Sequence, residues 1–314
     1  MTDVLDGDTA RAGIARREFL TATAGAAVAA VGVGTSDMVL AQAAPPAVTP
    51  EPLPATNAIL VERLPGGILM VGIDRPEAKN LLDPGMLIGL GKAWYQLEHD
   101  DELRVAVLYA KGPDFVSGLD GPAFAAAVRA GQYPPKDPEF RSPVNIRPPF
   151  RAKPLVVAVQ GATRTVGHEL MLSGDIRVAA SDTVFSQHEV TFGVFAFGGA
   201  TIRFPHEAGW GNAMRYMLTG DTWTAEEAYR LGLVQEVTPL GEQLDRAVES
   251  AKKIAAAAPL GVRATLASAR RALSGDDAAF AELGPAAVKI IQSDDAREYV
   301  KAVKEKRQPV FQGR

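Results

Sequence analysis

The stretch from Lys153 to Phe204 reads KPLVVAVQGATRTVGHELMLSGDIRVAASDTVFSQHEVTFGVFAFGGATIRF, and the interpretation of the whole chain starts from it. The apolar run Leu155 to Val159 is short and rich in valine, which is typical of a strand buried on both faces of a sheet. A helix is predicted to begin at Gly167, and Ile176 to Ala180 is predicted to form a second strand. Strands and helices mixed in this way indicate an α/β fold.

Two acidic residues in this stretch, Glu169 and Glu189, are candidates for acid–base chemistry. Adding water across a double bond requires one group that takes a proton from water and one that supplies a proton. Two carboxylates facing one pocket would suit that reaction. The predicted helix around Glu169 also offers free backbone N–H groups at its beginning, which favour a developing negative charge. Together these are the parts of a site that forms an enolate.

The same stretch resembles the enoyl-CoA hydratase (crotonase) superfamily. The resemblance is carried by Lys153-Pro154, Gln160-Gly161, Gly167-His168-Glu169-Leu170, Gly174-Asp175-Ile176, Phe185-Ser186-Gln187-His188-Glu189 and Gly198-Gly199. Three further segments fit it: Asp74 to Asn80, Asp114 to Asp120 and Glu305 to Phe311. It implies an α/β fold with a crotonase-type ββα spiral core over residues 57–240. A C-terminal helical region, residues 241–314, would then serve oligomerisation or act as a lid.

The resemblance also implies roles for individual residues. Glu169 and Glu189 would be the catalytic acid and base. The backbone N–H groups of Leu119 and Val166 would form an oxyanion hole, which polarises a thioester carbonyl and stabilises the enolate. Substrate contacts are implied for Arg75, Ala78, Ser117, Gly118, Asp120, Gly167, Lys306 and Phe311. Neither a metal nor a cofactor is implied, because CoA is part of the substrate.

Several residues depart from the pattern of the superfamily. Thr165-Val166-Gly167 stands where a run of glycines is usual, which puts a branched side chain at the predicted oxyanion hole. His168 and His188 each precede a candidate catalytic acid and offer an alternative acid–base set. His206, in Phe204-Pro205-His206-Glu207, resembles a crotonase branch that hydrolyses β-diketones by C–C cleavage without CoA. A diketone hydrolase and a catalytically idle binding protein therefore remain open as alternatives to the hydratase.

The first 43 residues have the features of an export signal. Ala15-Arg16-Arg17-Glu18-Phe19-Leu20 resembles the twin-arginine motif, a weakly hydrophobic run follows from Thr21 to Gly34, and Ala41-Gln42-Ala43 is typical of a cleavage site. We expect residues 1–43 to be a twin-arginine-type signal peptide and residues 44–56 to be a Pro-rich linker. The protein would then be periplasmic, or cytoplasmic if the leader is not a functional signal. Because CoA esters are cytoplasmic compounds, export favours the diketone alternative.

Composition excludes several classes of function. Of the 314 residues, 47% are hydrophobic and 22% are charged, which suits a globular enzyme with a substantial core. The net charge of −4 argues against nucleic-acid binding, and the absence of cysteine excludes thiolate metal sites and a cysteine nucleophile. The hydrophobic run from Thr21 to Gly34 is too short and too weakly apolar to be expected to span a membrane. The expected partners are a small-molecule acyl thioester or diketone and further copies of this chain, in a homotrimer or hexamer.

Periodicity predicts the elements outside the central stretch. Ile59 to Arg63 and Ile68 to Ile73, separated by Pro65-Gly66-Gly67, are predicted to form a β-hairpin. A helix over about 84–98, a strand over 104–110 and a short helix over 123–130 follow. Residues 131–151 are rich in proline and predicted to form a long loop, which by resemblance covers the acyl pocket. From residue 209 onwards the pattern is almost entirely helical.

Overall fold

The computed structural model of the protein describes residues 58–273 and 283–314, so the predicted signal peptide and linker lie outside the described residues. Within these ranges the strands are β1 (Ile59–Leu64), β2 (Ile68–Ile73), β3 (Val105–Ala110), β4 (Leu155–Val159), β5 (Ala162–Arg164), β6 (Ile176–Ala180), β7 (Val184–Ser186), β8 (Thr222–Thr224) and β9 (Glu236–Thr238). The α-helices are α1 (Pro84–His99), α2 (Gly121–Arg129), α3 (Val166–Leu172), α4 (Ala200–Ala208), α5 (Trp210–Thr219), α6 (Ala225–Arg230), α7 (Gln243–Ala256), α8 (Pro259–Leu273), α9 (Leu283–Ile291) and α10 (Asp294–Glu305). Short 3-10 helices cover Pro76–Ala78 and Glu189–Phe192.

Six strands form the central sheet, in the order β1-β2-β3-β4-β6-β9. β1 and β2 pair antiparallel, which confirms the predicted hairpin around Pro65-Gly66-Gly67. The remaining pairs are parallel. Parallel neighbours require crossover connections, and helices lie in the segments that join them. The predicted α/β fold is therefore confirmed.

The central sheet is buried on both faces. In β3, for example, Val107 belongs to one hydrophobic core and its neighbour Leu108 to the other. The smaller core lies between the sheet and α7, which presents Ala247, Ala251 and Ala255 at a spacing of four residues along one side of the helix. The larger core lies between the opposite face and helices α1, α3, α4, α5 and α6. Burial on both faces explains why the strands have continuous apolar sequences.

A second sheet, in the order β5-β7-β8, brings the two candidate acids together. β5 and β7 pair in parallel, with Arg164 opposite Ser186. One residue further along, the N–H of Thr165 donates to the carbonyl oxygen of Ser186 at 2.9 Å. The two segments therefore leave this sheet side by side, one leading to Glu169 and the other to Glu189.

The loop after β3 is held at the same place. Val116 forms a parallel bridge with Thr163, and the N–H of Arg164 donates to the carbonyl oxygen of Val116 at 2.9 Å. A Cβ atom on Gly118 would lie only 3.4 Å from Oγ1 of Thr165. The loop after β3 that contains Gly118 consequently lies next to the beginning of α3.

The structure contains elements that the sequence analysis missed. Helix α4, Ala200–Ala208, carries Pro205 in its interior, a residue that usually ends a helix, and it begins directly after Gly199 at φ 110°. Strands β5, β7, β8 and β9 have three residues each, which is too short for a period of two to be recognised.

The predicted boundary at residue 240 falls shortly before α7. Because α7 packs on the central sheet, no break in packing marks that position in the described residues, and the boundary stays a prediction. Across the two described ranges, the helices are all too short or too polar to cross a membrane.

Candidate active site

A cavity of about 520 Å³ lies where the loop after β3, the beginning of α3 and the segment after β7 meet. Its wall is largely apolar and includes the aromatic rings of Phe124, Tyr133, Phe140, Phe192 and Phe197. Its polar side chains are those of Ser117, Ser142, Arg147, Thr165, Glu169, His188 and Glu189. The cavity can therefore enclose a large apolar group next to two carboxyl groups.

Two backbone N–H groups at this cavity are available to a ligand. Val166 is the first residue of α3, so its N–H has no acceptor within the helix. Leu119 follows Gly118, whose φ of 150° lies in a region that favours glycine. Both Leu119 and Val166 line the cavity, and neither N–H donates to an acceptor in the described part of the chain. Such a pair of donors suits a carbonyl oxygen that becomes negatively charged.

Thr165 adopts a backbone conformation that normally requires glycine, with φ 49° and ψ −117°. Its N–H donates to Ser186, and its carbonyl oxygen accepts the N–H of Glu169 at 3.0 Å. These bonds hold the residue in place. Threonine is therefore accommodated at this turn, and the N–H of Val166 stays at the cavity.

Glu169 lies in the first turn of α3 and is only 4% exposed. Its Oε1 accepts the N–H of Ala200 at 3.1 Å. Burial raises the pKa of Glu169 to about 8; the bonds from Ala200 and Gly198 act in the opposite direction, and the charge of Glu189 adds to the rise. Burial therefore shifts this carboxyl group towards its protonated form near neutral pH.

Glu189, at 9% exposed, begins the 3-10 helix after β7. Its Oε1 accepts a hydrogen bond from Nε2 of Gln187 at 2.7 Å, and its Oε2 has no partner among the described residues. Burial raises the pKa of Glu189, while the bond from Gln187 works against the rise. Two negative charges in one apolar cavity repel each other, so the state with a single proton on the pair is favoured.

The two candidate histidines have different surroundings. His188 lines the cavity, and its Nδ1 lies 2.7 Å from Oγ of Ser186. His168, on the side of α3 that faces the aromatic core, is fully buried and does not line the cavity. Only His188 is therefore in a position to exchange protons with a ligand there.

Half of the predicted site residues line the cavity: Ser117, Gly118, Leu119, Val166, Glu169, His188 and Glu189. The others do not: Arg75, Ala78, Asp120, Gly167, His168, Lys306 and Phe311. Asp120 instead caps α2 by accepting the N–H of Ala123 at 3.1 Å. Gly167 packs so closely on Val116 that a Cβ atom would come within 2.6 Å of its carbonyl oxygen.

Four of the predicted substrate contacts, Arg75, Ala78, Lys306 and Phe311, are engaged elsewhere in the fold. Arg75 donates to Oδ2 of Asp83 at 3.1 Å, and Ala78 ends a 3-10 helix beside it. At the C-terminus, Lys306 follows α10 in a left-handed conformation, and the carbonyl oxygen of Phe311 accepts a bond from Arg104 at 2.5 Å. The assignment of these four residues to substrate binding stays a prediction.

The sequence analysis missed several residues of the site. The aromatic wall comes from α2, the long loop and the segment after β7, so no local pattern links its members. Gly198 carries part of the family resemblance but has no predicted role, yet a Cβ atom there would lie 2.2 Å from Oε2 of Glu169. Gln187 was quoted within a motif without a role. Its position two residues before Glu189 was the available signal.

The chain is similar in sequence to known enoyl-CoA hydratases. The family model described as enoyl-CoA hydratase/isomerase matches residues 63–314. An enoyl-CoA hydratase of Mycobacterium tuberculosis, EchA19, is 34% identical over 261 residues, which cover 81% of this chain and 96% of that protein. The (E)-benzylidenesuccinyl-CoA hydratase of Thauera aromatica is 32% identical and covers 78% of this chain and 96% of its own length.

Solved structures agree with these sequence matches. The crystal structure of a probable enoyl-CoA hydratase/isomerase from Mycobacterium abscessus has a TM-score of 0.78 at 43% sequence identity, covering 82% of this chain and 99% of that one. The structure of an enoyl-CoA hydratase from Mycobacterium tuberculosis has a TM-score of 0.72 at 35% identity, with coverage of 82% and 100%. The similarity therefore extends over nearly the whole length of these proteins.

Proposed function

The chain belongs to the enoyl-CoA hydratase/isomerase family, and from this premise we propose that it adds water to, or removes water from, an acyl-CoA thioester through an enolate. The observation that carries the proposal is the placement of Glu169 and Glu189, both buried, at one cavity. A pair of carboxyl groups holding one proton supplies both an acid and a base. The reaction needs both at once.

In the proposed mechanism the thioester oxygen accepts hydrogen bonds from the N–H groups of Leu119 and Val166. Polarising the carbonyl makes the β-carbon electrophilic, and the same bonds stabilise the enolate oxygen. Donors of this kind contribute about 3 kcal/mol each in other enzymes. Water bound between the two carboxyl groups then attacks the β-carbon. One glutamate takes the proton of that water, and the other supplies a proton to the α-carbon; dehydration is the reverse.

The acyl group is proposed to be bulky and apolar. A cavity of about 520 Å³ is much larger than a short linear chain requires, and aromatic side chains form much of its wall. The ring of Tyr133 packs against Phe124 and Phe140, with centroid distances of 5.1 and 6.0 Å. We expect an aryl-substituted enoyl thioester to be hydrated with a higher kcat/KM than crotonyl-CoA.

The pH dependence of hydration follows from the pKa of Glu169. Because that pKa is raised to about 8, the free enzyme loses the proton that the reaction needs as the pH rises through about 8. We expect kcat/KM to fall on the alkaline side with an apparent pKa near this value. A profile recorded from about pH 5 to about pH 10 checks it. A rate that stays constant across the alkaline range would exclude Glu169 as the proton donor.

The direct test is hydration of crotonyl-CoA and of a larger aryl enoyl-CoA by the purified protein, followed by loss of the conjugated thioester absorbance. Turnover that depends on Glu189 supports the proposal. If neither thioester reacts but a cyclic β-diketone is hydrolysed, and His188→Ala abolishes that hydrolysis, the diketone alternative is correct. Ligand binding without any turnover would identify an idle binding protein.

The protein is further proposed to form a homotrimer or a pair of trimers. Large apolar side chains are exposed on the segment after β7 and on α4 and α5: Phe192, Phe195, Ile202, Trp210 and Leu218. A monomer rarely exposes so much apolar surface in neighbouring elements. Sedimentation equilibrium tests the assembly, and a single species with the mass of one chain would refute it.

Export through the twin-arginine route is proposed from Arg16-Arg17 and the cleavage sequence before Ala44. A reporter fused after Ala44 should reach the periplasm, and changing both arginines to lysine should abolish its export. An exported enzyme would not meet cytoplasmic CoA esters. The reporter assay therefore also indicates whether the physiological carrier is CoA.

A further inference from the structure

His168 has one polar contact in an otherwise aromatic environment. Its ring lies edge-on to Phe204 and Trp223, with centroid distances of 5.2 and 5.1 Å. Nδ1 lies 2.5 Å from Oε1 of Gln187, and Nε2 has no partner among the described residues. Burial lowers the pKa of His168 to about 4, so the ring is neutral at physiological pH. Because the carbonyl oxygen of Gln187 can only accept, the single ring proton belongs on Nδ1.

The amide of Gln187 connects this ring to the cavity. Its oxygen faces His168, and its nitrogen donates to Oε1 of Glu189 at 2.7 Å. Turning the amide around would set its carbonyl oxygen against the carboxylate and leave the Nδ1 proton without an acceptor. The carboxylate oxygen at one end and the Nδ1–H donor at the other are satisfied together only in this orientation, so His168 and Glu189 hold the amide from its two sides, and the amide in turn occupies one oxygen of Glu189.

We propose that His168 is a positioning residue for Glu189: by donating its Nδ1 proton to Gln187, it fixes the amide that binds Oε1 and leaves Oε2 for proton exchange with substrate. Oε2 has no partner among the described residues, as this role requires. The proposal rests on the proposed function, because it assigns to Glu189 a part in proton transfer.

The experiment compares two substitutions of equal size at His168. Asparagine keeps an N–H donor close to the position of Nδ1, whereas leucine has the same shape and no donor. Both leave the same space between the aromatic rings, so their difference reports the hydrogen bond. We expect His168→Leu to lower kcat about tenfold with little change in KM, and His168→Asn to retain most of the activity.

The pH dependence of hydration distinguishes this role from a purely structural role of His168, which would leave the profile unchanged. Losing the amide bond removes an interaction that lowers the pKa of Glu189, so the acid limb of the His168→Leu profile should move to higher pH. The other titratable or charged groups at the cavity are Glu169, His188 and Arg147, with Arg164 beside His188, and both variants keep them. Equal kcat values and superimposable profiles for the two variants would overturn the proposal.

Nitrogen NMR of the imidazole rings tests the contact without any turnover. The chain has four histidines, so substitution assigns each signal. The His168 signals should show a neutral ring protonated on Nδ1, and Gln187→Leu should shift them. A proton on Nε2 of His168 would overturn the proposal. If the expected tautomer appears in a protein that hydrates no thioester, the hydrogen bonds that link His168, Gln187 and Glu189 are supported and the proposed function is wrong.

Discussion

Replacing Glu169 with glutamine is expected to abolish hydration and, at the same time, to stabilise the fold. Glutamine keeps the shape and can still accept the N–H of Ala200, but it cannot exchange a proton. We expect kcat to fall on the order of a thousandfold, the range attributed to general acid–base groups. Steady-state kinetics with a reactive enoyl thioester measures the loss.

The stability that Glu169→Gln gains over the parent should increase with pH. The folded-state pKa of Glu169 is raised to about 8, so the stability contributed by its neutral form is complete below the unfolded-state pKa of about 4.5 and is lost as the pH rises to about 8. Glutamine does not suffer this loss. The variant should therefore match the parent near pH 4 and exceed its free energy of unfolding by on the order of 4 kcal/mol near pH 7.5.

Urea unfolding at the two pH values checks this expectation. The matched control is Glu226→Gln on α6, where the side chain is exposed and the change should stay within about 0.5 kcal/mol at both pH values. A Glu169→Gln variant whose stability relative to the parent is the same at both pH values would show that the carboxyl group is not held neutral by burial.

Adding one methyl group at Gly198 is expected to have the second largest effect. A Cβ atom there would lie 2.2 Å from Oε2 and 2.6 Å from Cδ of Glu169, distances that no pair of non-bonded atoms tolerates. The carboxyl group must therefore move. A displacement of about 1 Å at a reacting group can lower the rate about a hundredfold, and we expect that loss in kcat for Gly198→Ala.

The control for this variant is Gly211→Ala on α5, where a Cβ atom would meet no other atom within 4 Å. Alanine is favoured over glycine inside a helix, so this change should preserve kcat and raise the free energy of unfolding by up to about 1 kcal/mol. A Gly198→Ala enzyme with the kcat of the parent would show that Glu169 tolerates a different position.

The sequence predicted the strands of the central sheet well because burial on both faces leaves continuous apolar runs, as in β4. It also identified Glu169 and Glu189 as a pair through their resemblance to a known motif. What brings them together, the parallel register of β5 and β7, is a long-range pairing between strands of three residues. No local pattern encodes such a contact.

Other features of the site depended on tertiary packing. His168 was predicted to be an alternative acid or base, because its position next to Glu169 in sequence suggested a shared pocket. On a helix, successive side chains point in directions about 100° apart, so His168 faces the aromatic core while Glu169 faces the cavity. Gln187 lies outside the helices, and its contact with His168, 19 positions away, leaves no local pattern in the sequence.

Ala247, Ala251 and Ala255 of α7 set the distance between that helix and the central sheet. Ala251 is fully buried against the valine and isoleucine side chains of the sheet, so a larger side chain at this position would have to push the helix outwards. Helix α7 also reaches the far end of β4, where Nε2 of Gln243 lies 3.4 Å from Oε1 of Gln160. The packing of α7 against this face of the sheet therefore limits how accurately the segment after β4, which leads into the site, can be positioned.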